Sequence, residues 1–299
     1  MDWNFRNAEG LLELCRENHL PISEVMIQRE MQLGSVTRES IMERIDNSLR
    51  VMNVSVDKPV SDPVGSMGGF LGGEAQRLNS LDEKKAVCGP TLHKAIVNAL
   101  AVAETNASMG VIVAAPTAGS AGVLPAVLMA MFECTDITVD ELRRGLINAS
   151  AIGYIITRNG SVAGAEAGCQ AEVGSASAMA ASAIVEILGG TPEQCCNAAS
   201  VALSNLLGLV CDPVRGLVEV PCQTRNAIGA VGAFTAAELA LADVGTHVPL
   251  DEMIQITVDV GHSLPESLRE TGKGGCASSP SICAMCSTRE ALSNARALL

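Results

Sequence analysis

The stretch from Val173 to Leu188 constrains the fold more than any other, because it is almost all Ala, Ser, Val and Ile. A helix with no polar side cannot face water, so this one must be closely surrounded by other helices. Cys195–Leu209 and Arg225–Ala242 read the same way. Leu92–Met109 is a further helix, with Ile96, Leu100 and Val102 near one face and Glu104, Asn106 and Ser108 at its end. Hydrophobic residues make up 48% of the chain but aromatics only 2%, which suits close helix packing and not a sandwich or barrel.

Alternating strand patterns are scarce, so an all-α, mostly helical fold is expected. It would form a single large helical domain over 61–299 behind a helical N-terminal lead-in over 1–60. In the lead-in, Asn7 caps a helix carrying Leu11, Leu12 and Leu14. Thr37 caps another, whose Ile41, Ile45, Leu49 and Met52 recur at helical spacing. Val54–Val64, with Pro59 and Pro63, reads as a loop. The glycine-rich run Gly65–Gly73 lacks the Gly-Lys-Ser/Thr ending of a phosphate loop, so a hinge or close backbone crossing is expected.

A net charge of −13 disfavours nucleic acid and anionic membranes as partners. Met1-Asp2-Trp3-Asn4 has neither the basic start nor the apolar core of a secretory signal, and a cytoplasmic location is expected. Gly110–Phe132 holds no charged residue over 23 positions, yet Pro116, Gly119, Gly122 and Pro125 interrupt it. A buried strand or helix, then a loop, then a helix fits it better than a membrane span.

Eleven cysteines without an export signal point to metal or redox chemistry. Cys15, Cys88, Cys134, Cys195 and Cys196 read as small apolar fillers. Three segments carry soft or polar groups in a glycine-rich setting. In the first, Ala114–Gly122, small residues allow close backbone approach, and free amides ahead of a helix suit a carboxylate. Thr117 and Ser120 add hydroxyls there, beside Ala118 and Gly119. The second, Gly164–Gln170, places Cys169 between small residues with room for a bulky inorganic ligand. The third runs from Cys211-Asp212-Pro213 to Pro221-Cys222-Gln223-Thr224-Arg225-Asn226, with its cysteines eleven positions apart on loop-like backbone. A rival triad, Cys276, Cys283 and Cys286, has the C-x2-C spacing common in zinc and iron–sulfur sites. Spacing alone favours this tail triad, and the residues by themselves leave the two sets level.

The order of the motifs carries a resemblance. Ala101–Gly110, Ala114–Gly122, Gly168-Cys169-Gln170, Cys211-Asp212-Pro213 and Pro221–Asn226 together resemble the alpha subunit of the iron–sulfur-dependent L-serine dehydratases (L-serine ammonia-lyases), over about Met67 to Gly275. The resemblance implies a [4Fe-4S] cluster held by Cys169, Cys211 and Cys222, no pyridoxal phosphate, and conversion of L-serine to pyruvate and ammonia. The family's helical unit works beside a smaller α/β domain that is not matched in this sequence. The chain is therefore expected to be the alpha chain of a two-chain enzyme, with the beta subunit as partner. Thr117, Ala118, Gly119 and Ser120 would bind the substrate carboxylate, and Arg225 or Asn226 would orient it. Where the family reads Gly-Gly-Leu-Ala, this chain has Cys276, which leaves the tail's role open. His19, His93, His247, His262 and Lys273 are bases by type, but none lies in a connected motif, so the general base is expected on the partner chain. Cysteine desulfidation on the same scaffold, or a metal or redox sensor built on the tail triad, are the competing functions.

Overall fold

The first helices begin where the sequence supplies caps. In the computed structural model, which describes residues 1–286, the Asn7 side chain accepts from the Gly10 amide at 3.1 Å and opens α1 (Ala8–Asn18). Helix α2 (Ile22–Gly34) follows, and Thr37 caps α3 (Arg38–Ser61) through the Ser40 amide. Few aromatics are available, and two of them, Phe5 and Tyr154, pack together with Arg29. The Arg29 guanidinium lies 3.9 Å from the centre of the Tyr154 ring, and Phe5 meets that ring edge-on.

Helix α3 corrects one expectation. Residues 54–61 are not a loop, because the helix continues to Ser61 with Pro59 inside it, and only 62–64 leave it. Proline has no amide hydrogen, so the Ser55 carbonyl loses its helical partner. The Thr105 hydroxyl donates to that oxygen at 2.8 Å, from a helix fifty residues further on.

The chain then forms α4 (Glu74–Asn79), α5 (Pro90–Ala107), α6 (Val123–Cys134) and α7 (Val139–Asn159). One turn of helix, α8 (Gly164–Ala167), and a π-turn at Gln170–Gly174 lead into α9 (Ser175–Ile187). Helices α10 (Pro192–Ser204), α11 (Cys222–Leu241) and α12 (Leu250–Ser263) complete the set used below. Capping boxes at Thr138/Glu141 and Thr191/Gln194 start α7 and α10. The fold is all-α. Among the described residues there is no strand, only an isolated bridge between Cys211 and Arg269.

Every residue of α9 is buried, with α6, α7, α10 and α11 packed around it. Each buried methyl contributes about 0.8 kcal/mol, and small side chains let helix axes approach closely enough to add dispersion. Gly145 of α7 shows how close: a Cβ there would lie 2.5 Å from Ile187 Cδ1.

The uncharged segment divides differently from expectation. Residues 110–114 form neither strand nor helix, and regular structure starts only at α6. No helix among the described residues is long and apolar enough to cross a membrane. Of the filler cysteines, Cys15, Cys195 and Cys196 are buried and Cys88 is half-buried. Cys134 departs from that role, since it is exposed at the end of α6.

Candidate active site

Hydrogen bonds and close contacts bring the three chemistry-bearing segments together. Gly168 adopts φ of +77°, and a Cβ there would lie 2.8 Å from the Leu209 carbonyl, so only glycine fits. The buried Gln170 completes this seam. Its amide donates to Leu209 O at 3.0 Å, its Oε1 accepts from the Gly208 amide at 2.7 Å, and its Nε2 donates to Thr257 O at 2.9 Å. Cys169 is thereby fixed against the backbone two residues before Cys211.

Cys211 is held by its own backbone. Its amide donates to Leu268 O at 2.8 Å and its carbonyl accepts from the Glu270 amide at 2.6 Å. Asp212 forms an ion pair with Arg225 at 2.6 Å and accepts from the Cys276 amide at 2.6 Å. Burial would raise the Asp212 carboxyl, but the Cys276 amide and Arg225 outweigh it and hold it below the ordinary range. Cys222 is the first residue of α11, and its carbonyl accepts from Asn226 Nδ2 at 2.8 Å.

The three thiols are 3%, 4% and 9% exposed for Cys169, Cys211 and Cys222, low enough that solvent does little to screen them from one another. Burial, and next the Glu172 carboxylate, push Cys169 and Cys222 up to about 12. Cys211 is driven up by the same two causes and by Cys169. Arg225 pulls Cys169 and Cys222 the other way. Such thiols stay protonated until a metal displaces the protons. The donor set fits an iron–sulfur cluster: three soft, buried thiols, at the start of the π-turn, in a loop and at the start of α11, beside a guanidinium that balances thiolate charge. Space is cleared for it, since a Cβ at Gly164 would lie 2.9 Å from Cys211 Sγ. Among the described residues no three His, Cys, Asp or Glu side chains close round a single ion, so neither cysteine triad is a ready-made zinc site.

The first segment lies against this group. Asn226 Oδ1 accepts from the Gly122 amide at 2.9 Å, and its Nδ2 donates to Gly119 O at 2.8 Å. Asn106 Nδ2 donates to Ala118 O at 3.2 Å. Within the described residues the amides of Ala118, Gly119 and Ser120 donate to no protein acceptor, and they stand just ahead of α6. Asn226 and Arg225, expected to orient a substrate carboxylate, hold the site's backbone through the Asn226 side-chain amide and Arg225 Nη1. Arg225 Nη1 donates to Val210 O at 2.7 Å besides pairing with Asp212.

Glu172 is the group sequence reasoning missed. Its Oε1 accepts from the Thr117 hydroxyl at 2.7 Å, and its Oε2 takes a long contact of 3.8 Å from the Cys211 thiol. Burial outweighs the Thr117 hydrogen bond and raises its carboxyl above the ordinary range. A signal existed: Glu172 and Glu186 are the only charged residues between Cys169 and Leu188. The glycine-rich run proves to be a close crossing. Its Gly68 and Phe70 amides and the Ser66 hydroxyl all donate to Glu219, three residues before Cys222, at 2.7, 3.0 and 2.6 Å.

Of the base candidates, His19, His247, His262 and Lys273 are exposed and His93 is half-buried. None of them hydrogen-bonds to the three-cysteine group among the described residues. In the rival triad Cys276 and Cys283 are exposed and Cys286 is half-buried.

An all-α fold that gathers buried thiols beside free amides belongs here to a family of lyases. The sequence profile of the serine dehydratase alpha chain matches residues 17–277, and the chain belongs to that family. It is 47% identical over 277 residues to a probable L-serine dehydratase alpha chain of Bacillus subtilis, covering 92% of each chain. Against the L-serine dehydratase alpha chain of Peptoniphilus asaccharolyticus it is 44% identical over 273 residues, covering 91% of this chain and 94% of that one. It also matches 61% of the length of an L-serine dehydratase of Streptomyces coelicolor, at 39% identity and covering 93% of this chain.

Proposed function

We propose that this chain is the alpha chain of an L-serine dehydratase that converts L-serine to pyruvate and ammonia, with a [4Fe-4S] cluster on Cys169, Cys211 and Cys222. The observation that carries the reading is three buried thiols, near enough for their charges to act on one another, beside a loop with unused amides. The family membership, and the alpha-chain names of two relatives, support it further.

When bound, the cluster supplies an iron with an open position, a Lewis acid for the substrate hydroxyl, with no net electron transfer. The chain's own residues do the rest of the holding. The amides of Ala118, Gly119 and Ser120, at the positive end of α6, take the substrate carboxylate. Asn226 fixes that loop to α11, and the Asp212–Arg225 pair fixes the loop bearing Cys211. Once a base removes the α-proton and water leaves, the enamine product tautomerises and hydrolyses to pyruvate and ammonia. The base comes from a partner beta chain, because no histidine among the described residues of this one hydrogen-bonds to the three-cysteine group. The two-fifths of the Streptomyces relative that this chain does not match is consistent with such a partner.

Replacing Cys169, Cys211 and Cys222 by serine should abolish the visible iron–sulfur absorbance and pyruvate formation in anaerobically purified enzyme. The same change at Cys276, Cys283 and Cys286 should leave the absorbance in place. Loss of colour only in the tail variant would overturn the assignment. Supplying L-cysteine in place of L-serine tests desulfidation directly, and faster sulfide release than pyruvate formation from serine would reassign the substrate.

A further inference from the structure

The hydroxyls of Thr117 and Ser120 count as donors in sequence, but their hydrogen bonds run the wrong way for holding an anion. A carboxylate has no proton to give, so in the 2.7 Å contact with Glu172 the proton belongs to Thr117. With that proton spent, Thr117 is the acceptor in its 3.2 Å contact with Ser120. The chain of bonds runs from Ser120 to Thr117 to Glu172. Neither hydroxyl has a proton left for a substrate carboxylate.

Two glycines, one in the loop ahead of α6 and one opening α8, let the backbone pack close against this one side chain. A Cβ at Gly119 would lie 2.6 Å from Glu172 Oε1, and a Cβ at Gly164 would lie 2.7 Å from Oε2. Oε2 otherwise meets the Cys211 thiol, in a long contact of 3.8 Å. This wall of the site then presents acceptors and negative charge, while the amides of residues 118–120 present donors. A 2-amino acid has the complementary layout, with an ammonium and a carboxylate on one carbon.

We propose that Glu172, steadied by Thr117, binds the α-ammonium group of the substrate and makes the site selective for amino acids over hydroxy acids that lack nitrogen. The inference rests on the function proposed above. A charge-assisted bond in a site shielded from water is stronger than its exposed counterpart. An ammonium there also offsets the repulsion between Glu172 and the thiolate ligands.

The test uses the whole enzyme, purified anaerobically from its own host through a tag on this chain, so that any partner chain comes with it. Inhibition of serine turnover by L-alanine and by propionate is compared, since the two differ only in the amino group. The unchanged enzyme should prefer alanine, and Glu172→Gln should cut that preference on the order of tenfold or more. Glu172→Asp, which keeps the charge, should restore part of it. Iron per chain and visible absorbance should match the unchanged enzyme in both variants. An unaltered alanine-to-propionate ratio in Glu172→Gln would overturn the proposal. So would loss of iron from both variants, which would give Glu172 a role in the metal site alone. No serine turnover by the unchanged enzyme would instead sink the underlying function, before any variant is made.

Discussion

Asn226 and Glu186 are both buried polar residues, and they solve the problem differently. Asn226 gives both ends of its amide to backbone groups, on the loop ahead of α6 and in the first turn of α11, so its burial is fully compensated. Glu186 is not so well served. Its Oε2 accepts from Asn148 Nδ2 at 2.7 Å and from the Ser23 amide at 3.2 Å, but Oε1 and Asn148 Oδ1 meet no partner. Burial lifts its carboxyl above the ordinary value of 4.5, against the pull of Ser23 and Asn148. The folded state therefore holds this proton more tightly than the unfolded state does. Its contribution to stability is complete below the unfolded value and is lost as pH rises through the folded one. Glu186→Gln keeps the shape and removes the titration. Its Tm should exceed that of the parent at pH 8, with the gap closing towards pH 5, in thermal unfolding followed by circular dichroism. A gap of equal size at both values would refute the assignment.

At the scale of elements, α3 and α5 are tied by a bond that neither helix predicts alone. Thr105 replaces the amide that Pro59 lacks, and Thr105→Val leaves the Ser55 carbonyl buried and unpaired. A loss of about 1–3 kcal/mol is expected in chemical denaturation. Pro59→Ala restores an amide within reach of Ser55, so the same Thr105 change should cost less in that background. Equal losses in the two backgrounds would mean that the hydroxyl does not serve the carbonyl. The segment 265–276 is a second tie of this kind, since Leu268, Glu270 and Cys276 bond to Cys211 and Asp212 and strap the third loop in place.

For the whole molecule, the placement of the histidines sets the expectation for activity. Rebuilt anaerobically with iron and sulfide, this chain alone should give little pyruvate from L-serine, and activity should rise when the partner chain is added. Full activity of the chain alone, in a coupled pyruvate assay, would place the base within it. The helical class was legible because an apolar, aromatic-poor composition has few other ways to bury itself. Helix caps at Asn7 and Thr37 were legible because they act within three residues. The helix over 54–61, read as loop, was not, because proline is disfavoured in a helix unless a distant group satisfies the carbonyl it frees. Gly168-Cys169-Gln170 could be singled out as a motif, but its contact with Gly208 and Leu209 joins residues some forty positions apart.

The sequence by itself determined the class of fold, the helices that must be enclosed, and the segments rich enough in cysteine and glycine to carry chemistry. These follow from local periodicity, capping and composition. Only the tertiary structure decided that Asn226 and Arg225 hold loops, that Thr117 gives its proton to Glu172, and that Glu172 stands beside Cys211. Hydrogen-bond direction and burial depend on which distant segments share a space, and no local pattern records that.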